Sequence, residues 1–105
     1  MREISVGDLK ALRDRGGDHV LLDVREPFEL ELARVAGSLD IPMAEVPARL
    51  GELPRDREIV VMCHSGWRSA RVTQILEQNG FQNAVNLEGG IDAWSREIDP
   101  AVPTY

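Results

Sequence analysis

An apolar run from Ile59 to Met62 leads directly into a cysteine, a glycine-containing turn and a helical pattern that begins near Ser69. A short, continuous apolar run is typical of a β-strand that is buried on both faces. A chain that passes from a strand through a tight turn into a helix directs backbone N–H groups and the positive end of the helix dipole at one point. Cys63 stands at that point, where an anion-binding turn should stabilise its thiolate. We therefore predict that Cys63 is a nucleophile.

The same alternation of apolar runs and helical patterns recurs along the whole chain. Strands are predicted near Ile4 and at 19–24, 39–41, 59–62 and 84–87. Helices are predicted at about 6–15, 26–32, 43–53, 69–78 and 91–98. This order predicts an α/β fold, with a small parallel sheet and helices on both faces. No repeat or linker divides the 105 residues, so we predict one domain, 1–105, with a tail from about residue 99.

The composition excludes several classes of protein. A net charge of −6 disfavours nucleic acid or an anionic membrane surface as the main partner, so we expect neither. A single cysteine cannot form an internal disulfide, and one cysteine with two histidines makes no convincing metal site. We therefore predict no metal. The chain shows no apolar stretch of signal-peptide or transmembrane type, and we expect a soluble, cytoplasmic protein.

Four segments of the chain carry a resemblance to a known family. They are LLDVREPFE at 21–29, AGSLDIP at 36–42, VVMCHSGWRSA at 60–70 and LEGGIDAW at 87–94. Together, and in this order, they resemble the single-domain rhodaneses, which are thiosulfate sulfurtransferases. The resemblance implies a central five-stranded, mostly parallel sheet flanked by helices. It also implies that Cys63 takes a sulfur atom from a small anionic donor such as thiosulfate and forms a persulfide. A thiol, cyanide or protein acceptor then removes the sulfur, and no separate cofactor is expected.

The resemblance and the chemistry of the loop together suggest roles for the residues around Cys63. Backbone N–H groups of His64 through Ser69 should cradle the persulfide, and Gly66 should let the chain bend. The guanidinium of Arg68 suits bidentate binding of the donor's oxygens. Arg25, which resembles an arginine of the family, is expected to attract the donor or brace the loop, with Asp23 orienting a nearby arginine. The expected substrate-binding residues of the loop are His64, Ser65, Gly66, Trp67, Arg68 and Ser69.

Other residues have a structural interpretation beside the functional one. Trp67 either shields the loop from solvent or offers a surface aromatic to an acceptor protein. Arg34 lies in a segment where the family usually has a histidine, and it points either toward the pocket or into solvent. The pair Gly89-Gly90 predicts a tight turn near the loop, and Trp94 a core position. Three acidic residues are expected to form a solvated helix face: Glu26, Glu29 and Glu31.

Two other kinds of function stay open at this point. Protein tyrosine or dual-specificity phosphatases, and arsenate reductases, have an arginine six positions after the cysteine. Here Ser69 takes that position and the arginine is Arg68, so the loop is shorter and suits a sulfur atom better than a phosphoryl group. The second alternative is a sulfur-relay or regulatory module, which would receive its persulfide from a partner and would also retain Cys63. Turnover of thiosulfate distinguishes an enzyme from such a module.

Overall fold

The structure, a computed structural model that describes all residues 1–105, contains a five-stranded sheet in which every strand pairing is parallel. The strand order is β1-β5-β4-β2-β3. The strands are β1 (Glu3–Ile4), β2 (His19–Asp23), β3 (Leu39–Asp40), β4 (Glu58–Met62) and β5 (Ala84–Leu87). The α-helices are α1 (Val6–Asp14), α2 (Pro27–Leu32), α3 (Trp67–Gln78) and α4 (Gly90–Glu97). The predicted α/β class and the five-stranded parallel sheet are confirmed.

Two hydrophobic clusters cover the two faces of the sheet, because successive side chains of a strand point in opposite directions. In β4, Val60 and Met62 face a cluster that includes Leu9 of α1 and Trp94 of α4. Ile59 and Val61 face the opposite cluster with α3 and the segment around Val46. Burying β4 on both faces explains its continuous apolar run. Trp94 is a core residue, as predicted.

The segment 43–53 differs from its prediction as one weak helix. It forms two short 3-10 helices, Met43–Ala48 and Leu50–Glu52. Pro47 lies inside the first of them. A proline in the interior of an α-helix removes a backbone donor and clashes with the preceding turn, so this stretch takes a tighter and shorter form.

The carboxyl ends of β2 and β4 are neighbours in the middle of the sheet. Asp23 of β2 is in register with Met62 of β4, and the Val24 amide donates to the Met62 carbonyl at 3.0 Å. Cys63 comes directly after β4. Ligands of open α/β sheets bind outside the carboxyl ends of the strands, so a ligand-binding site is expected at this edge of the sheet.

The final residues, predicted as a tail, return to the body of the protein although they contain no regular helix or strand. Val102 is buried in the same cluster as Trp94. The Ala101 amide donates to the Asp99 carboxylate at 3.0 Å. Tyr105 reaches the carboxyl edge of the sheet, where it contacts Arg25 and Glu29. The structure has no helix that is long and apolar enough to span a membrane.

Candidate active site

Cys63 lies at the base of a loop that connects β4 to α3, and its side chain is 1% exposed. The Gly66 amide donates to its sulfur at 3.1 Å. The thiol donates to Oγ of Ser69 at 3.3 Å. A hydroxyl can donate as well as accept, so the same Ser69 group can donate to the sulfur once it is ionised. The loop thus supplies two polar contacts to the one cysteine of the chain.

The loop turns into α3 at Gly66, which has a φ of +112° and is the residue that precedes the helix. This left-handed conformation is one that glycine adopts at little cost. The next residues, Trp67 to Ser69, form the first helical turn, whose N–H groups have no acceptor within the helix. The positive end of a twelve-residue helix therefore lies beside the Cys63 sulfur, although the helix begins at Trp67 and not near Ser69. Of the amides predicted to cradle the sulfur, only that of Gly66 donates to it.

The first turn of α4 holds the loop from the other side. The Ile91 amide donates to the Cys63 carbonyl, and the Asp92 amide donates to the His64 carbonyl, both at 3.0 Å. Gly90 has a φ of +59°, and a Cβ atom there would lie 2.4 Å from the His64 carbonyl oxygen. The glycine pair at 89–90 is therefore a tight turn against the loop, and the absence of a side chain permits the close approach.

Arg68 is paired with Glu29 of α2. Its Nη1 and Nη2 atoms donate to Oε1 and Oε2 of Glu29 at 2.6 and 2.9 Å. Glu29 is only 5% exposed, so the prediction that it belongs to a solvated helix face is wrong for this residue. The hydrogen bonds from Arg68, which outweigh the effect of burial, lower the pKa of Glu29 from its ordinary 4.5 to about 2. The guanidinium that was expected to bind a donor's oxygens thus makes a bidentate pair with a carboxylate of the protein itself.

Tyr105 closes the same region from the end of the chain. Its hydroxyl donates to Oε2 of Glu29 at 2.7 Å and accepts from Nη1 of Arg25 at 3.0 Å. Its ring stacks on His64, with ring centroids 4.0 Å apart and planes 9° from parallel. Burial is the main reason that the pKa of Tyr105 is raised, so its phenol stays protonated and can donate.

Arg25 is 1% exposed, and all five of its N–H donors are engaged. Nε and Nη2 donate to the Asp23 carboxylate, with Nη2 to Oδ2 at 2.8 Å. The remaining donors bind the Tyr105 hydroxyl and the carbonyls of Glu29 and Ala33. The structure therefore places Arg25 as a brace between β2 and α2, with Asp23 orienting it, and leaves it no free donor for a ligand.

The other predicted residues take varied positions around the loop. Trp67 is 84% exposed, so the interpretation in which it shields the loop from solvent is wrong. His64 is half-buried, and its Nε2 atom is buried without a hydrogen-bond partner. Ser65 lies in the turn and is exposed. Arg34 pairs with Asp40 of β3. No group of three or more His, Cys, Asp or Glu side chains is arranged to hold a metal ion.

Sequence reasoning missed two residues of this site, Glu29 and Tyr105. In α2 the acid Glu29 is buried while the apolar Phe28 is 65% exposed, which inverts the usual pattern of a surface helix. Tyr105 lies in a segment with two prolines and no periodic pattern. The position of Glu29 between two apolar residues, Phe28 and Leu30, was the only local signal in the sequence, and Tyr105 gave none.

The sheet is parallel, and Cys63 follows its central strand β4. The loop after Cys63 turns back to contact the sulfur, so the chain is an α/β domain with a cysteine site at the carboxyl edge of its sheet. The family model of the Rhodanese-like domain matches residues 5–97 of this chain. The chain belongs to the rhodanese-like domain family, whose members similar to it include sulfurtransferases.

Three similar proteins illustrate the relationship. A sulfurtransferase of Allochromatium vinosum is 40% identical over 85 residues, which cover 81% of this chain and 79% of that protein. The maize adenylyltransferase and sulfurtransferase MOCS3-2 is 35% identical over 97% of this chain, which matches only 23% of that larger protein. The crystal structure of a rhodanese-related protein from Thermoplasma volcanium is 38% identical, with full coverage of both chains and a TM-score of 0.87.

Proposed function

We propose that this chain is a sulfurtransferase that moves sulfane sulfur from thiosulfate or a similar donor to cyanide or a thiol through a persulfide on Cys63. The observation that carries the proposal is the contact of the Cys63 sulfur with the Gly66 amide at 3.1 Å, at the first turn of α3. Backbone amides and a helix N-terminus favour a thiolate over a thiol. The family relationship to sulfurtransferases supports the same chemistry.

The reaction has two balanced steps. The Cys63 thiolate attacks the outer sulfur of thiosulfate and forms a new S–S bond, while the donor's own S–S bond breaks and sulfite leaves with the electron pair. Cyanide or a thiolate then attacks the terminal sulfur of the persulfide, and the Cys63 thiolate is released. Cys63 itself carries the sulfur, so the proposal needs no further cofactor, and it predicts ping-pong kinetics.

The length of the loop favours a sulfur atom as the transferred group. The Gly66 amide and the Ser69 hydroxyl both contact the sulfur of Cys63, which is 1% exposed. The short spacing between Cys63 and Arg68 also disfavours a phosphatase or an arsenate reductase.

A sulfur-relay module is the second candidate, and one observation favours it. Trp67 is 84% exposed in the first turn of α3, where an acceptor or donor protein can reach it. Exposed tryptophans are frequent anchors of protein interfaces. The similar maize protein is an adenylyltransferase and sulfurtransferase, and this chain matches only 23% of its length. There the rhodanese-like part stands beside other protein parts. A protein partner and a cytoplasmic location both stay predictions for this chain.

Intact-mass spectrometry before and after incubation with thiosulfate tests the proposal. The wild-type chain should gain one sulfur atom, and cyanide or a reducing thiol should remove it. The Cys63→Ala variant should gain none. Reversal is the essential control, because a sulfinic acid adds nearly the same mass and resists both reagents. Absence of a reversible sulfur gain with either thiosulfate or a thiosulfonate would exclude small-molecule transfer and leave the relay module.

A further inference from the structure

The pairing between Arg68 and Glu29 decides how much positive charge the loop offers to a donor. Both oxygens of the carboxylate are engaged by the guanidinium, at 2.6 and 2.9 Å. Such a bidentate pair is among the strongest charge-assisted contacts of proteins. Glu29 is 5% exposed, so water screens this pair less than it screens an exposed surface pair. The charge of Arg68, in the first turn of α3 directly after the Cys63 loop, is therefore balanced within the protein.

Glu29 is held in place by groups other than Arg68. The Tyr105 hydroxyl donates to Oε2 at 2.7 Å, and the Glu26 amide donates to Oε1 at 3.1 Å. Tyr105 is in turn held by Arg25 and by stacking on His64. The carboxylate is thus positioned from α2 and from residue 105, and an anionic donor would meet a guanidinium whose charge Glu29 already balances.

The second arginine that contacts this site does not replace that charge. Arg25 is fully buried, and its charge is balanced by the Asp23 carboxylate. The chain as a whole carries a net charge of −6. What remains at the sulfur is the partial positive charge of the Gly66 amide and of the first turn of α3. Partial charges of this size suit one negative charge better than two.

Resting on the proposed sulfur transfer, we propose that Glu29 determines the charge preference of the donor site. By neutralising Arg68, it disfavours a dianionic donor such as thiosulfate and favours sulfane-sulfur donors with a single negative charge. In the transfer step a thiosulfonate gives its outer sulfur to the Cys63 thiolate, and a sulfinate leaves in place of sulfite. Glu29 is on this view a specificity-determining residue that acts through Arg68.

Two probes of nearly the same shape separate charge from size. Thiosulfate and methanethiosulfonate share the sulfane sulfur, but a methyl group replaces one charged oxygen in the second. In Glu29→Gln the carboxylate charge is gone while the shape is kept, which frees the guanidinium for the donor. Since contacts to charged groups are the strong ones, kcat/KM for thiosulfate should rise roughly five- to tenfold, against about twofold or less for methanethiosulfonate.

The matched control is Glu31→Gln. Glu31 lies on the same helix α2 and is exposed, so this substitution removes the same formal charge without touching the Arg68 pair. This variant should leave the preference between the two donors unchanged. An equal rise for both donors in Glu29→Gln, or an equal change of preference in Glu31→Gln, would overturn the proposal. Far-ultraviolet circular dichroism confirms that each variant is folded.

Calorimetric titration of Cys63→Ala tests the same inference without turnover and with Glu29 intact. Methanethiosulfonate should bind at least as tightly as thiosulfate, and a tenfold tighter binding of thiosulfate refutes the inference. Adding Glu29→Gln should tighten thiosulfate binding roughly five- to tenfold. No tightening, or no binding in either chain, also refutes it. Because the proposed sulfur transfer is judged by persulfide formation in the wild-type chain, failure of one proposal is distinguishable from failure of the other.

Discussion

Replacing Gly90 by alanine should destabilise the protein through the contact between α4 and the Cys63 loop. The new Cβ would lie 2.4 Å from the His64 carbonyl oxygen and 2.5 Å from the Cys63 carbonyl oxygen. Both neighbours are backbone atoms, and both accept hydrogen bonds from the first turn of α4. They can therefore move only by breaking the contacts that position the loop.

Two separate costs add at this position. A φ of +59° costs an alanine about 1–2 kcal/mol, because its Cβ crowds the following carbonyl. Forcing an extra methyl group into a packed region costs about 1–3 kcal/mol more. The sum is roughly 2–5 kcal/mol, a large part of the 5–15 kcal/mol that stabilises a typical domain.

The assay is urea denaturation of Gly90→Ala beside two matched glycine variants. Gly37 has a φ of +83°, and no atom lies within 4 Å of the position that a Cβ would take, so Gly37→Ala measures the backbone cost alone, about 1–2 kcal/mol. Gly51→Ala has neither cost and should change little, because its φ is not positive and its surroundings are open. Gly90→Ala should also slow persulfide formation. The steric argument is refuted if Gly90→Ala is no less stable than Gly37→Ala.

Two further predictions concern the buried ion pairs. Asp23→Asn should destabilise the protein by about 3–5 kcal/mol in urea denaturation, because it leaves the buried Arg25 charge without its carboxylate. A cost under about 1 kcal/mol would contradict the role of Asp23 as the partner of Arg25. The pKa of Glu29 is lowered from 4.5 to about 2, chiefly by the hydrogen bonds of Arg68 and against the effect of burial, with Tyr105 and the Glu26 amide assisting. The folded protein thus gains up to about 3 kcal/mol from the ionised carboxylate. This stability is complete above pH 4.5 and disappears as the pH falls toward 2, so wild type should lose more stability over that range than Glu29→Gln. Parallel curves for the two proteins would contradict the lowered pKa.

The sequence alone predicted the order of strands and helices and the position of Cys63 between β4 and α3. Continuous apolar runs and helix-start patterns are local properties, and they predicted all five strands and the Cys63 loop. The one element predicted wrongly is 43–53. From Pro47 we predicted a single weak helix that is interrupted or begins at that residue, whereas the segment forms two 3-10 helices. Local patterns specify elements better than they specify contacts.

The part of the site that the sequence did not predict consists of contacts between residues far apart in the chain. Glu29 and Arg68 are 39 residues apart, and Glu29 and Tyr105 are 76 apart. Whether an acid on a short helix faces solvent or a partner depends on which distant residue lies opposite it, and for Glu29 that residue is Arg68. Tyr105 has its position because residues 99–105 fold back, with Val102 buried in the core. Only the three-dimensional arrangement supplies this information.

The hydrogen bonds from α4 to the Cys63 loop form late in synthesis, because α4 follows the loop in the chain. Cys63 and β4 leave the ribosome before Ile91 and Asp92, whose amides hold the carbonyls of Cys63 and His64. Synthesis runs from the N-terminus, so the thiol exists for a time without the helix that shapes its surroundings. The surroundings of the thiol are thus complete only once α4 has been made, and a polypeptide interrupted before α4 would carry Cys63 without the two amides that hold its loop.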